Sequence, residues 1–510
     1  MRGVRRIASF FLLLITAAPL WPQDLTAFEK NVTVRKLPNG LTVIVMERHE
    51  APVFSYATVA NVGNAQEVPG ITGLAHMFEH MAFKGSSNIG TTNYEAEKAA
   101  LKKVEDTYAA YDLERRKAVG SDPAKVAELE KAWKDAVDAA QKYVVPNEFA
   151  KVVDQAGGVG MNAFTRSDET VYFYSLPVNR FELWAYLESE RFLHPVFREF
   201  YKERDVVTEE RRMRTESSPQ GRLIEEFLST AFTAHPYGFP TVGWPSDLKT
   251  FSATDAAAFF KKYYVPSNLV IAIVGDVKAS EVMPVVEKYF GRLPKAPAPE
   301  PLRTVEPPQH AERLTVLHEK AQPIYIEGYH RPAVTDPDDA VYDVIETLLS
   351  QGRTSRLYRS LVRDKKIAAF AAGGNGFPGQ KYPSLFTFFA VTTPGHKPQE
   401  ITDAIAEQLT KLKTEDVTPA ELQSVKTRVK AGLLRQLDNN SGLALQLALA
   451  QTELGDWREL FKQIDRIDKV TAADVRRVAN KTFVTTNRTI AYIDNSTPAP
   501  QASAAKGGTQ

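Results

Sequence analysis

The chain has 510 residues, 43% of them hydrophobic and 25% charged, enough apolar material for two or more globular domains. Its formal net charge is +1 and neither end carries a long block of one sign, so it lacks the electrostatic footprint of a nucleic-acid-binding protein. It has no cysteine, which excludes disulfides, thiolate metal sites, thiol nucleophiles and lipidation, and leaves His and carboxylate as the ligands for any metal.

In chain order, Met1-Arg-Gly-Val-Arg-Arg6 is basic and residues 7–20 are mostly apolar. This pattern predicts a secretory signal over residues 1–22, shorter than a membrane span, and a destination in the periplasm or outside the cell. A membrane tether follows only if the segment stays uncleaved. The competing reading of the same run is a buried helix in a cytosolic protein. Two strands, 32–36 and 41–46, are predicted on either side of Pro38-Asn-Gly40, a hairpin-turn sequence, and a third over 54–62.

Thr72-Gly-Leu-Ala-His-Met-Phe-Glu-His-Met-Ala-Phe-Lys84 contains no Pro and reads as a helix. At about 100° per residue, His76 and His80 share a face one turn apart, with Glu79 beside them. Neutral imidazoles at this spacing are zinc ligands, and the carboxylate can take a proton from an attacking water. His-x-x-Glu-His is the inverted, inverzincin order of the motif. The bland alternative is a helix with two half-buried histidines and a solvated glutamate.

Residues 94–143 turn to Ala, Lys, Glu and Asp in helical runs broken at Gly120-Ser-Asp-Pro123, a stop, a cap and an N1 proline. A charged helical hairpin inserted over about 94–146 is predicted; a coiled-coil dimerisation arm is the other use of such a hairpin. Strands are expected around 161–165 and 170–175, helices around 180–193, 196–216 and 257–264, and a buried strand over 268–275. Residues 294–308 hold six prolines and read as an extended linker.

Beyond it, strands are expected at 314–317 and 323–329 and a helix over 338–349. The stretch Lys481-Thr-Phe-Val-Thr-Thr-Asn-Arg-Thr-Ile-Ala-Tyr492 echoes Lys262-Tyr-Tyr-Val-Pro-Ser-Asn-Leu-Val-Ile-Ala-Ile273, which points to an internal duplication. The expected fold is α+β: two homologous αβ-sandwich domains, over 23–293 and 313–496, each a mainly antiparallel sheet covered by helices. The second copy lacks His-x-x-Glu-His. Residues 497–510 read as a disordered tail.

These blocks resemble the pitrilysin–insulinase–mitochondrial processing peptidase family of zinc metallopeptidases, in its half-length bacterial branch. Gly73-Leu-Ala-His-Met-Phe-Glu-His-Met-Ala-Phe-Lys-Gly85 fits the family's motif helix. Asn162-Ala-Phe-Thr165 with Glu169-Thr-Val-Tyr-Phe173 fits its active-site edge strand, and His235-Pro-Tyr-Gly238 fits a recurrent bacterial segment. The resemblance covers roughly residues 30–495 apart from the helical hairpin. It implies one Zn²⁺ per chain, with a third ligand from Glu203-Arg-Asp-Val-Val-Thr-Glu-Glu210. Aligned this way, Glu210 is the ligand and Glu203, about 20° round the helix, orients a ligating histidine, while Glu209 faces about 100° away. From spacing alone the same residues read as a charged surface helix.

The resemblance further implies a peptidase with Glu79 as the base, substrate added as a strand at Asn162 and Ala163, and an Arg–Tyr pair from the second half. Arg363 fits that pair, but Phe370 stands at the tyrosine position and removes a phenol that could hydrogen-bond substrate. The family builds a chamber from four such domains, which implies a homodimer or a heterodimer with a related half-length chain. Two rivals stand beside this reading: a non-catalytic assembly subunit, and a metal-dependent hydrolase of non-peptide substrates.

Overall fold

The computed structural model describes residues 25–496; the expected signal segment and tail lie outside the described residues. The first sheet has six strands: β1 (Val32–Lys36), β2 (Thr42–Glu47), β3 (Val53–Ala60), β4 (Val159–Thr165), β5 (Thr170–Pro177) and β6 (Leu269–Gly275), in the order β1-β2-β6-β3-β5-β4. The second has five: β7 (Arg313–His318), β8 (Ile324–Arg331), β9 (Ala368–Phe377), β10 (Ser384–Thr392) and β11 (Arg488–Asp494), in the order β7-β11-β8-β10-β9. The pairs β2–β6 and β7–β11 are parallel and all others antiparallel. Without β1, the two sheets have one topology.

The duplication extends to single hydrogen bonds. Ser252 and Thr471 each form a capping box, with Asp255 and Asp474, at the start of the helices Ala253–Tyr263 and Ala472–Thr482. Past each helix, an asparagine turns the chain into the parallel strand. Asn268 Nδ2 donates to Tyr263 O (2.9 Å) and Asn61 O (3.2 Å), and Asn487 Nδ2 to Thr482 O and His330 O (both 2.9 Å). The echo in the sequence therefore marks one turn used twice.

Each half also lends a helix to the other. The outer face of the first sheet, with Ile44, Ala57, Val59, Val171 and Val270, packs against Leu443, Ala444 and Leu447 of the helix Asn440–Leu454. In return, Leu223 and Phe227 of the helix Pro219–Ala231 pack on Ile326, Leu385 and Ile493 of the second sheet. A Cβ at Gly328 would lie 2.7 Å from Phe227 Cζ, so the glycine permits this approach. The two equivalent hairpin turns meet as well. Asp168, between β4 and β5, accepts from Tyr237 Oη (2.6 Å) and from the amides of Gln380 (2.8 Å) and Lys381 (3.1 Å), between β9 and β10. Buried apolar area shared in this way couples the halves more strongly than a linker can.

The charged hairpin is present as the helices Tyr94–Arg115 and Pro123–Gln141. Its apolar stripe is used within the chain. Trp133 stacks on Tyr111 (5.5 Å, 8°), and Tyr108 lies 4.6 Å from Tyr201 of the helix Phe200–Arg211. Residues 294–312 carry no regular element, yet Glu306 accepts from the amides of Thr233, Ala234 and His235. Among the described residues, no helix is long and apolar enough to cross a membrane.

Candidate metal centre

The motif helix spans Leu74–Met81 and lies on the inner face of the first sheet, with Leu74, Met77 and Phe78 in the core. An eight-residue helix is marginal alone, so its ends are tied down. Gly73 precedes it at φ 95°, where a Cβ would press on Val242 O at 2.9 Å. Buried Glu67 accepts from the free amides of Gly73 (2.8 Å) and Ala75 (2.7 Å), the groups that a helix start leaves unsatisfied. Asp247 accepts from Gly70 and Thr72 in the same loop.

The second wall is the helix Phe200–Arg211, which carries Glu203 and Glu210 on one face. His80 Nε2 lies 3.2 Å from Glu210 Oε2, and His76 Nε2 lies 3.6 Å from Glu210 Oε1. Donor atoms of His76, His80 and Glu210 all lie within 4.8 Å of one another. Two imidazole nitrogens and one carboxylate oxygen converging on a part-buried point form a donor set suited to Zn²⁺ with a position left open. Glu79 Oε2 is 3.9 Å from His76 Nε2. Glu203 Oε2 stands 3.5 Å from His80 Nδ1, on the side of the ring away from Glu210. Glu209 points outward to Arg212.

Electrostatics separate the two histidines. Burial lowers His76 to about 4, against the pull of Glu210, which leaves its imidazole neutral at pH 7 as a metal ligand would have to be. Its Nδ1 is buried with no partner among the described residues. At His80, burial acts downward but hydrogen bonds to Glu203 and Glu210 prevail and push it up to about 9. A metal entering here displaces a proton from His80. Glu210 is held below its ordinary value by its hydrogen bond to His80, and burial raises Glu79.

Of the other expected residues, Asn162 and Ala163 sit on β4, the edge strand beside the motif helix. Asn162 is exposed and its Oδ1 accepts from Ala163 N (2.9 Å); Thr165 Oγ1 reaches Ala75 O (3.4 Å). Arg363 is exposed and paired with Asp364, and Phe370 is 52% exposed on β9, the edge of the second sheet. Arg363 donates to Asp364 and the Phe370 ring lies against Phe389, both neighbours being in the second half. Three residues here were not read from the sequence: Glu67, Lys84, which pairs with Glu203, and Arg214, which pairs with Glu210. Glu67 had a signal, an acid shortly before a helix start; the other two were only basic residues on helical spacing from a ligand.

The sequence matches the profile described as Insulinase (Peptidase family M16) over residues 42–108 and 136–243, and that of the Peptidase M16 inactive domain over 250–429. The break after residue 108 falls within the helical hairpin. The chain is 29% identical to the zinc protease PqqE of Helicobacter pylori over 497 residues, covering 95% of this chain and 97% of that protein. It is 24% identical to an uncharacterized zinc protease, YmxG, of Bacillus subtilis, covering 87% and 94%. A crystal structure of a protease from Helicobacter pylori superposes with a TM-score of 0.76 at 28% identity, over 91% of this chain and 99% of that one. The periplasmic protease PqqL of Escherichia coli shares the fold, with a TM-score of 0.66 at 17% identity, over 91% of this chain and 48% of its own. Two domains of one topology, a His-x-x-Glu-His helix and matches along both halves lead to one assignment: the chain belongs to the insulinase family, peptidase family M16.

Proposed function

We propose that this protein is a zinc metalloendopeptidase acting on extended or unfolded peptides. The observation that carries the reading is the convergence of His76, His80 and Glu210 within 4.8 Å, with Glu79 on the same helix. These three residues would hold one Zn²⁺ per chain. Bound there, the metal would supply Lewis acidity to water and to the scissile carbonyl. Glu79, raised by burial, takes the proton of the attacking water and returns it to the leaving amine. Glu203 Oε2, 3.5 Å from His80 Nδ1, would hold a proton on Nδ1 and leave Nε2 as the ligand atom when the metal is bound.

Substrate adds as a strand along β4 at Asn162 and Ala163, bound through its main chain. Such binding tolerates many side chains but requires an extended chain, which excludes folded proteins. Arg363 and Phe370 lie on the second half and are both exposed there, which favours their use by another chain in a dimer, with itself or with a related half-length chain. The longer PqqL chain, about half of which this fold spans, has the length for two such units. The basic and apolar N-terminal pattern places the protein in the periplasm or outside the cell in this reading.

The test combines metal analysis with a quenched-fluorescent peptide library. One zinc per chain with cleavage supports the endopeptidase. Zinc without peptide cleavage sinks it in favour of another hydrolase, and no cleavage with no zinc favours an assembly subunit.

A further inference from the structure

The metal site rests on a chain of charges that begins outside it. Lys84 lies just beyond the motif helix, and its Nζ bridges two carboxylates, Glu199 Oε2 at 3.1 Å and Glu203 Oε1 in a still closer contact. All three side chains are largely buried. Glu203 turns its second oxygen to His80 Nδ1. The backbone of Lys84 is clamped by buried Arg198, whose Nη1 donates to Lys84 O (2.6 Å) while Nε and Nη2 hold Glu97.

Glu199 is the unusual member. It precedes the helix Phe200–Arg211 at φ 58°, ψ 19°, the left-handed region that a non-glycine residue occupies at a cost. Such strain persists only where the surroundings hold it, and here three donors do. Glu199 accepts from Lys84 (3.1 Å), from Lys202 (2.9 Å) and from Gln141 Nε2 (3.1 Å) on the inserted hairpin. A glycine would sit in this backbone without strain but would lose all three.

We infer that Lys84, held by Glu199, is a positioning residue for the metal site: it fixes the Glu203 carboxylate against His80 Nδ1, so that Nε2 is presented to the metal. The inference rests on the proposed ligand set and deepens it. Lys84 is not among the proposed ligands and acts through Glu203. A carboxylate that orients a ligating histidine needs one rotamer and a full charge, and an ammonium between two glutamates provides both. The arrangement also makes the hairpin, through Gln141, a support of the metal site.

The test is zinc affinity by competition with a chromophoric chelator, alongside thermal melting of the metal-free full chain, for wild type, Lys84→Met, Lys84→Arg and Glu199→Gly. Lys84→Met is expected to weaken zinc binding about 10- to 100-fold, as loss of such outer partners does. Lys84→Arg, which can still bridge both carboxylates, is expected to recover most of that loss. Glu199→Gly is expected to weaken zinc binding, while relief of the backbone strain offsets part of the three lost hydrogen bonds in the metal-free melting temperature. A purely structural Glu199 would lower the melting temperature and leave affinity intact. A wild type that takes up no zinc overturns the ligand set, and this role with it. A wild type that binds zinc, with Lys84→Met and Glu199→Gly binding it as tightly, overturns the role of Lys84 alone.

Discussion

Arg214 Nη1 lies 2.6 Å from Glu210 Oε1, so the carboxylate that would receive a metal is paired with a guanidinium one helical turn away. The arginine is 69% exposed, so it is free to swing out, whereas Glu210 is not. A metal held by Glu210 would compete with the guanidinium for that oxygen. Arg214→Gln should therefore tighten zinc binding by about two- to fivefold, the scale of an exposed ion pair. Titration against a chelator measures it, and weaker binding in the variant would show that Arg214 supports the ligand instead of competing for it.

The ligand set makes a second prediction. His76→Ala, His80→Ala and Glu210→Gln should each lose stoichiometric zinc with the fold retained by circular dichroism. Glu209→Gln should keep it, because Glu209 faces solvent and pairs with Arg212. If Glu209→Gln loses zinc and Glu210→Gln does not, the helix register is wrong by one residue.

How much of this was legible beforehand follows from how local each signal is. His76, Glu79 and His80 lie within one helical turn, and periodicity alone places them on a common side. Glu210 is 130 residues from His80, and spacing alone reads its segment as a charged surface helix; the family resemblance singles it out from Glu209, and the fold packs that face on the motif helix. Lys84 and Glu199 were invisible for the same reason, since each is defined by partners far along the chain. The strand β9, Ala-Ala-Phe-Ala-Ala-Gly-Gly-Asn-Gly-Phe, has little intrinsic strand preference and is held by register with β10. The duplication was readable at Asn268 and Asn487, where a turn demands a particular side chain, but not in the helices each half lends the other.

Glu327 gives a pH prediction. It is fully buried in β8, and burial raises it to about 7, with the Tyr325 hydrogen bond and the Arg488 charge opposing that shift. A raised carboxyl means that the folded state holds more protons than the unfolded state between about pH 4.5 and 7. Stability from this group is therefore greatest below that window and falls as pH rises through it. At about 1.4 kcal/mol per unit, the loss is on the order of 3 kcal/mol. Glu327→Gln should flatten the slope of unfolding free energy against pH from 4.5 to 7. A slope as steep as wild type would assign the dependence to other groups.

Phe370 bears on assembly. Light scattering should find a dimer in the active preparation, and a fully active monomer would contradict the two-chain chamber. In a weakly active homodimer, Phe370→Tyr should raise kcat, since one well-placed donor to a developing oxyanion is worth about 2.7–4 kcal/mol. No gain would mean that the ring does not face the substrate or that another donor already fills the role.

In the proposed mechanism Glu79 moves the proton at a zinc site made by His76, His80 and Glu210. The most direct measurement of that step is turnover of a cleavable peptide by Glu79→Gln at full zinc occupancy, confirmed by metal analysis on the same sample. One zinc per chain, an unchanged fold and a rate about 10²- to 10⁴-fold below wild type, the contribution of a general base, are expected. Cleavage by zinc-loaded Glu79→Gln at a near wild-type rate would contradict the mechanism.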